Sequence, residues 1–153
     1  RGARRIATIT GPQDMHAGVR RLNGFAEAMA SAGLQPAAVV HGDFTLHGGE
    51  DAARHLLEEA PDIDAVFVAS DLMALGVLRT LRRAGRRVPE DVRVVGFDDS
   101  SAALQASPQL TPVTNPASDL ARIAGEMLLA LLSGEEPVSP VVLQSELVVR
   151  DSA

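Results

Sequence analysis

The sequence contains no cysteine, tryptophan or tyrosine, and its 14 basic residues are all arginine. Without cysteine, the chain forms no disulfide, offers no thiolate nucleophile and builds no zinc–thiolate site. Without lysine, it lacks the phosphate-binding residue of P-loop proteins and kinases and the amine of Schiff-base enzymes. Stacking of an aromatic ring on a ligand is left to four phenylalanines, Phe25, Phe44, Phe67 and Phe97.

Long apolar runs are missing as well, because no stretch reaches the roughly 18–20 residues of a membrane-spanning helix. A net charge of −6 argues against nucleic-acid binding by this chain itself, since phosphate binding needs a concentrated positive surface. The hydrophobic fraction of 46% and the charged fraction of 22% are typical of one folded domain. Residues 1–6 do not lead into a signal peptide, so we interpret the chain as part of a longer, cytoplasmic protein.

Short apolar segments alternate with segments of helical periodicity from residue 6 to residue 97. Strands are predicted over residues 6–10, 37–41, 65–69 and 92–97, and helices over residues 17–32, 46–60 and 71–83. Such alternation is typical of parallel strands joined by right-handed helical crossovers. The sequence therefore predicts an α/β fold in which a parallel sheet lies between two layers of helices.

The pattern changes after Asp99. Residues 100–116 are rich in Ser, Pro, Thr and Asn and predict a loop with a short extended piece over 110–114. Residues 117–133 predict an amphipathic helix that ends at Gly134, and residues 141–150 alternate as a strand does.

Ligands of open parallel sheets bind beyond the carboxyl ends of the strands. Three predicted strands lead there to Phe44, to Ser70 and to Asp98, and the extended piece leads to Asn115. A polar, acidic edge with one aromatic ring favours a hydroxyl-rich ligand. Structural roles remain open, because Phe44 is also compatible with loop packing.

Two nearby carboxylates, those of Asp71 and Asp99, also suit structural roles. Asp71 stands at the start of a predicted helix, where it would cap the helix and interact with its dipole. Asp99 follows Asp98 directly and suits a turn.

Enzymatic sites fit the sequence poorly. Carboxylates at several strand ends are typical of phospho-acceptor domains, but that chemistry also needs a lysine. The segment 68–72 lacks the Gly-x-Ser-x-Gly pattern of a hydrolase nucleophile. The four histidines lack the spacing of a metal site. We therefore expect no catalytic residues, no cofactor and no metal ion.

Four stretches together resemble the effector-binding core of the LacI/GalR family of bacterial transcription regulators. Residues 4–12 followed by 20–25 are similar to the family's first strand, Gly-Pro turn and Arg-Leu-x-Gly-Phe helix. Residues 67–76 are similar to its Ala-x-Asp-x-Met-Ala-x-Gly helix start, and residues 88–99 to its Val-Pro-x-Asp…Gly-Phe-Asp motif. Residues 110–113 are similar to its Leu-Thr-Thr-Val crossover, so the resemblance covers essentially the whole chain.

The resemblance implies a two-lobed core, like that of periplasmic binding proteins, which closes on a small effector such as a sugar and controls operator DNA binding allosterically. Seven positions match effector-facing positions of the family: Asp98, Ser70, Phe44, Arg21, Met15, Val19 and Asn115. Two of them depart from the common pattern, because many members have Asn at the position of Ser70 and some sugar regulators have Arg at that of Val19.

The resemblance also implies how the chain is divided. Residues 1–114 correspond to the C-terminal lobe, residues 115–136 to a crossover and a helix of the other lobe, and residues 137–153 to a strand returning to the C-terminal lobe. The helix-turn-helix head that contacts DNA is expected outside this chain. A sugar-binding protein of a transporter shares the same fold and stays open as the alternative function.

The predicted helix 71–83 carries a second apolar spot. A helical wheel places Met73, Ala74, Val77, Leu78 and Leu81 toward the sheet. Leu72 and Leu75 fall on the opposite side, among arginines. The family dimerises through this region, so we expect a homodimer contact at these two leucines.

Overall fold

The computed structural model describes residues 2–134 and 139–153. Its strands are β1 (Ile6–Thr10), β2 (Val39–His41), β3 (Ala65–Val68), β4 (Arg93–Asp98) and β5 (Thr111–Thr114). Its helices are α1 (His16–Ser31), α2 (Leu46–Glu59), α3 (Asp71–Arg83), α4 (Ser101–Gln105) and α5 (Ala117–Leu132).

The five strands form one sheet in the order β2-β1-β3-β4-β5, and all of its pairings are parallel. Across the sheet, the connection from β1 to β2 runs toward one edge, and the connections from β2 to β3 and from β3 to β4 run toward the other. Because such crossovers are right-handed, α1 covers one face of the sheet, and α2 and α3 cover the other. The α/β fold with a parallel sheet is therefore confirmed.

The core lies between the sheet and the helices α2 and α3. The core includes the inward residues of α3, together with five residues that are each at most 1% exposed: Leu56, Val66, Val68, Val92 and Val94. All five α3 residues predicted to face the sheet are buried, which confirms the helical wheel. On the opposite face, Phe25 of α1 stacks on Phe67 of β3 with 6.0 Å between the ring centroids.

The segment 100–116 is more ordered than the loop expected from its composition. The extended piece is β5, and residues 101–105 form the short helix α4, which the sequence did not predict. Five residues are too few for a helical period to show in the sequence. Tertiary packing stabilises α4 instead, because Ala103 at its centre is completely buried.

The prediction of a strand over residues 141–150 is wrong. This segment lies antiparallel to β5 with one bridge, between Val113 and Leu147. A regular ladder does not form because Pro112 has no N–H to donate. Two backbone N–H groups bind hydroxyls instead, that of Glu146 binding Thr114 Oγ1 at 2.8 Å and that of Arg150 binding Thr111 Oγ1 at 2.9 Å.

The end of this segment is nevertheless fixed to the sheet. Ser152 is completely buried, and its Oγ donates to the Val94 carbonyl at 2.6 Å while accepting from the Thr111 N–H at 2.8 Å. The expected boundary between residues 136 and 137 lies outside the described residues.

Candidate functional site

At the carboxyl end of the sheet, the connections between strands change direction between the neighbouring strands β1 and β3. The connection that follows β1 runs over one face of the sheet, and the connection that follows its neighbour β3 runs over the other, which is where open α/β sheets bind ligands. A cavity of about 310 Å³ opens at this edge, and its lining consists of Ala17, Arg21, Phe44, Ser70, Leu72 and Asp98. Four of the seven residues predicted to face an effector thus line one cavity.

The carboxylate of Asp98 stands at the end of β4 with two donors on the same oxygen. Arg21 Nη2 donates to Asp98 Oδ1 at 3.0 Å, and Asn115 Nδ2 donates to it at 3.2 Å. Among the described residues, no donor reaches Asp98 Oδ2, and the side chain is 33% exposed. Asp98 therefore has one oxygen fixed by the protein and one free to accept hydrogen bonds from a ligand.

The guanidinium of Arg21 is held between aromatic rings. Its central carbon lies 3.8 Å from the centroid of the Phe97 ring and 5.6 Å from that of Phe44. Its Nη1 also donates to the Ala69 carbonyl at the end of β3. The neighbouring Arg20 is exposed. Stacking and two acceptors thus fix the guanidinium of Arg21 where it lines the cavity.

The ring of Phe44 occupies space that only a glycine leaves open. A Cβ atom at Gly11 would lie 2.0 Å from the Phe44 ring, so any other residue in the turn after β1 would displace it. The Phe44 N–H also donates to the Met73 sulfur at 3.3 Å. Phe44 thus packs against the loop and lines the cavity, and both roles considered from the sequence apply.

Backbone strain is concentrated at this edge. Among the described residues, three non-glycine residues have positive φ: Phe44 at 66°, Asp98 at 112° and Asp99 at 53°. Such conformations cost of order 1–3 kcal/mol each and persist only where surrounding contacts impose them.

The two residues at the start of α3 have distinct roles. Ser70 is 5% exposed, and its Oγ caps the helix by accepting from the Met73 N–H at 3.2 Å. Asp71 is 1% exposed and accepts from the N–H and the hydroxyl of Ser100 at 2.7 and 3.0 Å. Burial raises the pKa of the Asp71 carboxyl above its usual value, and the bonds from Ser100 act against that shift.

Of the remaining predicted effector positions, one contacts the site and two do not line the cavity. Asn115 contacts Asp98, whereas Met15 is 49% exposed and neither Met15 nor Val19 is among the residues that line the cavity. Leu72 borders the cavity, and Leu75 borders a separate groove with Gln105.

Sequence reasoning missed contacts that come from distant parts of the chain. The Phe97 ring stacks against the Arg21 guanidinium. Arg150 forms an ion pair with Asp99, with 2.6 Å between Nη2 and Oδ1. Alternation along β4 assigns Phe97 to one face of the strand, but no local pattern pairs Arg150 with Asp99. No cluster of three or more metal-ligating side chains occurs in the described part of the chain.

The profile of a family described as a periplasmic binding protein-like domain matches residues 1–153. The chain belongs to this family, in the form found in LacI-family transcriptional regulators. It is 53% identical over 155 residues to the transcriptional regulator CelR of Thermobifida fusca, covering 99% of this chain and 45% of CelR. It is 35% identical over 154 residues to the repressor CytR of Escherichia coli (strain K12), with the same shares covered.

Solved structures give the same assignment. A CelR–cellobiose complex superposes with a TM-score of 0.93 at 52% identity, covering 99% of this chain and 47% of that one. A lac repressor dimer bound to operator and an anti-inducer superposes with a TM-score of 0.93 at 30% identity, covering 99% and 53%. The relatives are regulators, so the prediction that the chain is not an enzyme is confirmed.

The chain spans less than half the length of CelR and of CytR. Of the helices in residues 2–134 and 139–153, none has the length and apolar character to cross a membrane.

Proposed function

We propose that this chain is the sugar-binding lobe of the effector core of a LacI-type transcriptional regulator. Asp98 carries the proposal, because it lines one cavity with Arg21 and Phe44 and, within the described residues, hydrogen-bond donors reach only its Oδ1. A carboxylate accepts hydrogen bonds from neighbouring hydroxyls, a guanidinium donates to ring or hydroxyl oxygens, and an aromatic ring packs on C–H surface. Together these groups match a carbohydrate.

Cellobiose is the first candidate effector. The solved complex of CelR, 52% identical to this chain, contains that sugar. The effector would bind between this lobe and a second one, and closure of the two lobes would change the affinity of a DNA-binding head for its operator. Operator binding would place the protein in the cytoplasm.

The division into lobes belongs to the same proposal. No residue of α5 is buried, and its apolar side chains Leu120, Leu128 and Leu131 are 46–57% exposed. We assign residues 115–136 to the crossover and to the other lobe, and residues 1–114 and 137–153 to this one. The other lobe would then cover the apolar face of α5.

Calorimetry of the intact regulator with cellobiose and a panel of related sugars tests the proposal. Asp98→Ala is expected to weaken binding roughly 10- to 100-fold, because each charge-assisted hydrogen bond contributes about 1.5–3 kcal/mol. Its melting temperature should change little, since Asp98 is partly exposed.

Asp62→Ala is the matched control, because it removes a carboxylate that pairs with Arg5 on the surface, at 2.7 Å. Its affinity should equal that of the wild type. Normal affinity in Asp98→Ala together with a collapsed melting temperature would mean that Asp98 is structural, and no sugar binding by the wild type would refute the carbohydrate class.

A further inference from the structure

The Asp98 side chain lines the cavity from a backbone conformation that few residues adopt. Asp98 has a φ of 112° and Asp99 a φ of 53°. Two consecutive non-glycine residues with positive φ relax to ordinary conformations unless contacts on both sides prevent it. The contacts that hold this turn therefore decide where the carboxylate lies.

One of these contacts comes from the end of the chain. Arg150 Nη2 donates to Asp99 Oδ1 at 2.6 Å, and its Nη1 donates to the Leu110 carbonyl at 3.0 Å. The Arg150 and Asp99 side chains are only 14% and 26% exposed, so solvent screens the pair weakly. The guanidinium thus ties the turn after β4 to the residue before β5.

Arg150 is itself held in place. Its backbone N–H donates to Thr111 Oγ1 at 2.9 Å, and two residues later Ser152 is buried against β4 and β5. On the other side of the turn, Ser100 is held by two hydrogen bonds to Asp71. Asp99 and Ser100, the residues that follow Asp98, are thus fixed to different parts of the fold.

We propose that Arg150 is a positioning residue for effector binding, which acts through Asp99 to hold the Asp98 carboxylate in place. This inference rests on the proposed function. Without the guanidinium, the Asp99 carboxylate is left partly buried and unpaired, the turn relaxes, and the Asp98 carboxylate moves relative to Arg21 and Asn115. Arg150 is not itself among the residues that line the cavity.

The test is a double-mutant cycle on the intact regulator with cellobiose as the probe. Arg150→Gln and Asp99→Asn are each expected to weaken binding about 10-fold, as for loss of one well-placed charge-assisted hydrogen bond. The double variant should bind about as weakly as either single one, because both changes remove the same contact. Affinity is measured by calorimetry well below the melting temperature of every variant.

Arg87→Gln is the matched control. Arg87 pairs with Asp91 at the same 2.6 Å, but on the surface away from the cavity. Its affinity should stay within about twofold of the wild type, since exposed ion pairs contribute little. Wild-type affinity in Arg150→Gln with a lowered melting temperature would overturn the inference, and so would equal weakening in Arg87→Gln.

A crystal structure of Arg150→Gln separates this inference from the proposed function. The inference requires that Asp98 lose its positive φ or that its Oδ1 move out of hydrogen-bonding distance of Arg21 Nη2. If the wild type binds no sugar, the proposed function fails. The φ of Asp98 and its distance to Arg21 in the variant still show whether Arg150 holds the Asp98 carboxylate in place. An unchanged Asp98 in the variant would overturn it.

Discussion

Helices α3 and α5 both carry an apolar stripe in the sequence, yet their environments differ completely. Eight of the 13 residues of α3 are buried, whereas none of the 16 residues of α5 is. The difference does not come from hydrophobicity, because α5 includes Leu120, Leu128, Leu129, Leu131 and Leu132 among the exposed large side chains. An apolar stripe shows that a helix needs a partner, but it does not show where that partner is.

The partner of α3 is the sheet together with α2, and small residues permit the contact. A Cβ atom at Gly49 of α2 would lie 2.3 Å from the Met73 carbonyl oxygen, and one at Gly76 of α3 would lie 2.3 Å from that of Leu46. A Cβ atom at Gly125 of α5 would meet nothing within 4 Å. The backbones of α2 and α3 therefore approach closely, while α5 has no neighbour at its glycine.

The largest expected contrast is between two leucines. Leu81 of α3 is 1% exposed, so Leu81→Ala should lower the free energy of unfolding by about 2–5 kcal/mol. Leu128 of α5 is 57% exposed, and Leu128→Ala in this chain alone should change it by about 0.5 kcal/mol or less. Urea titrations followed by circular dichroism measure both, because the chain has no tryptophan or tyrosine for fluorescence. Equal losses would mean that α5 packs on the lobe formed by residues 1–114, instead of on the other lobe.

Two glycines should respond with opposite signs. Gly76→Ala is expected to destabilise the chain by about 1–3 kcal/mol, because the new methyl group meets the rigid backbone of α2. Gly125→Ala should stabilise it by about 0.5–1 kcal/mol, since alanine is the better helix former and the site is open. The same titrations report both changes, and a stabilising Gly76→Ala would contradict the close packing of α2 and α3.

The last prediction concerns the outer side of α3, where a substitution should act on assembly more than on stability. We propose that Leu75 contributes to a contact with a second copy of the protein. Leu75→Arg should change the stability of the lobe by about 1 kcal/mol or less, yet shift the intact regulator toward monomer in analytical ultracentrifugation. Val39→Arg, on the edge strand β2, is the control and should leave the mass unchanged. A dimeric Leu75→Arg variant would exclude this contact.

Much of the fold was predictable because its signals are local. Apolar periodicity located β1, β3, β4 and the longer helices to within a residue or two. The short helix α4 and the irregular course of residues 141–150 were not predictable. The buried Ala103 stabilises α4, and Pro112 in β5, which has no N–H, keeps residues 141–150 from forming a regular ladder.

The candidate site was predictable in part. The rule that ligands bind at strand ends selected Asp98, Phe44 and Ser70, and the family resemblance added Arg21; all four line the cavity. The same resemblance selected Met15 and Val19, which do not line it. A match of position between sequences does not specify where a side chain points.

The sequence by itself determined the parallel α/β architecture, the apolar faces of the helices and the polar edge of the sheet, because residues close in the chain encode these features. Only the tertiary structure decided that Asp98 has one bonded and one free oxygen, that Arg21 stacks on Phe97, and that Arg150 reaches Asp99. These contacts join residues up to 77 positions apart, as Arg21 and Asp98 are. Positive φ at Asp98 and Asp99 likewise persists only where contacts from other parts of the fold impose it.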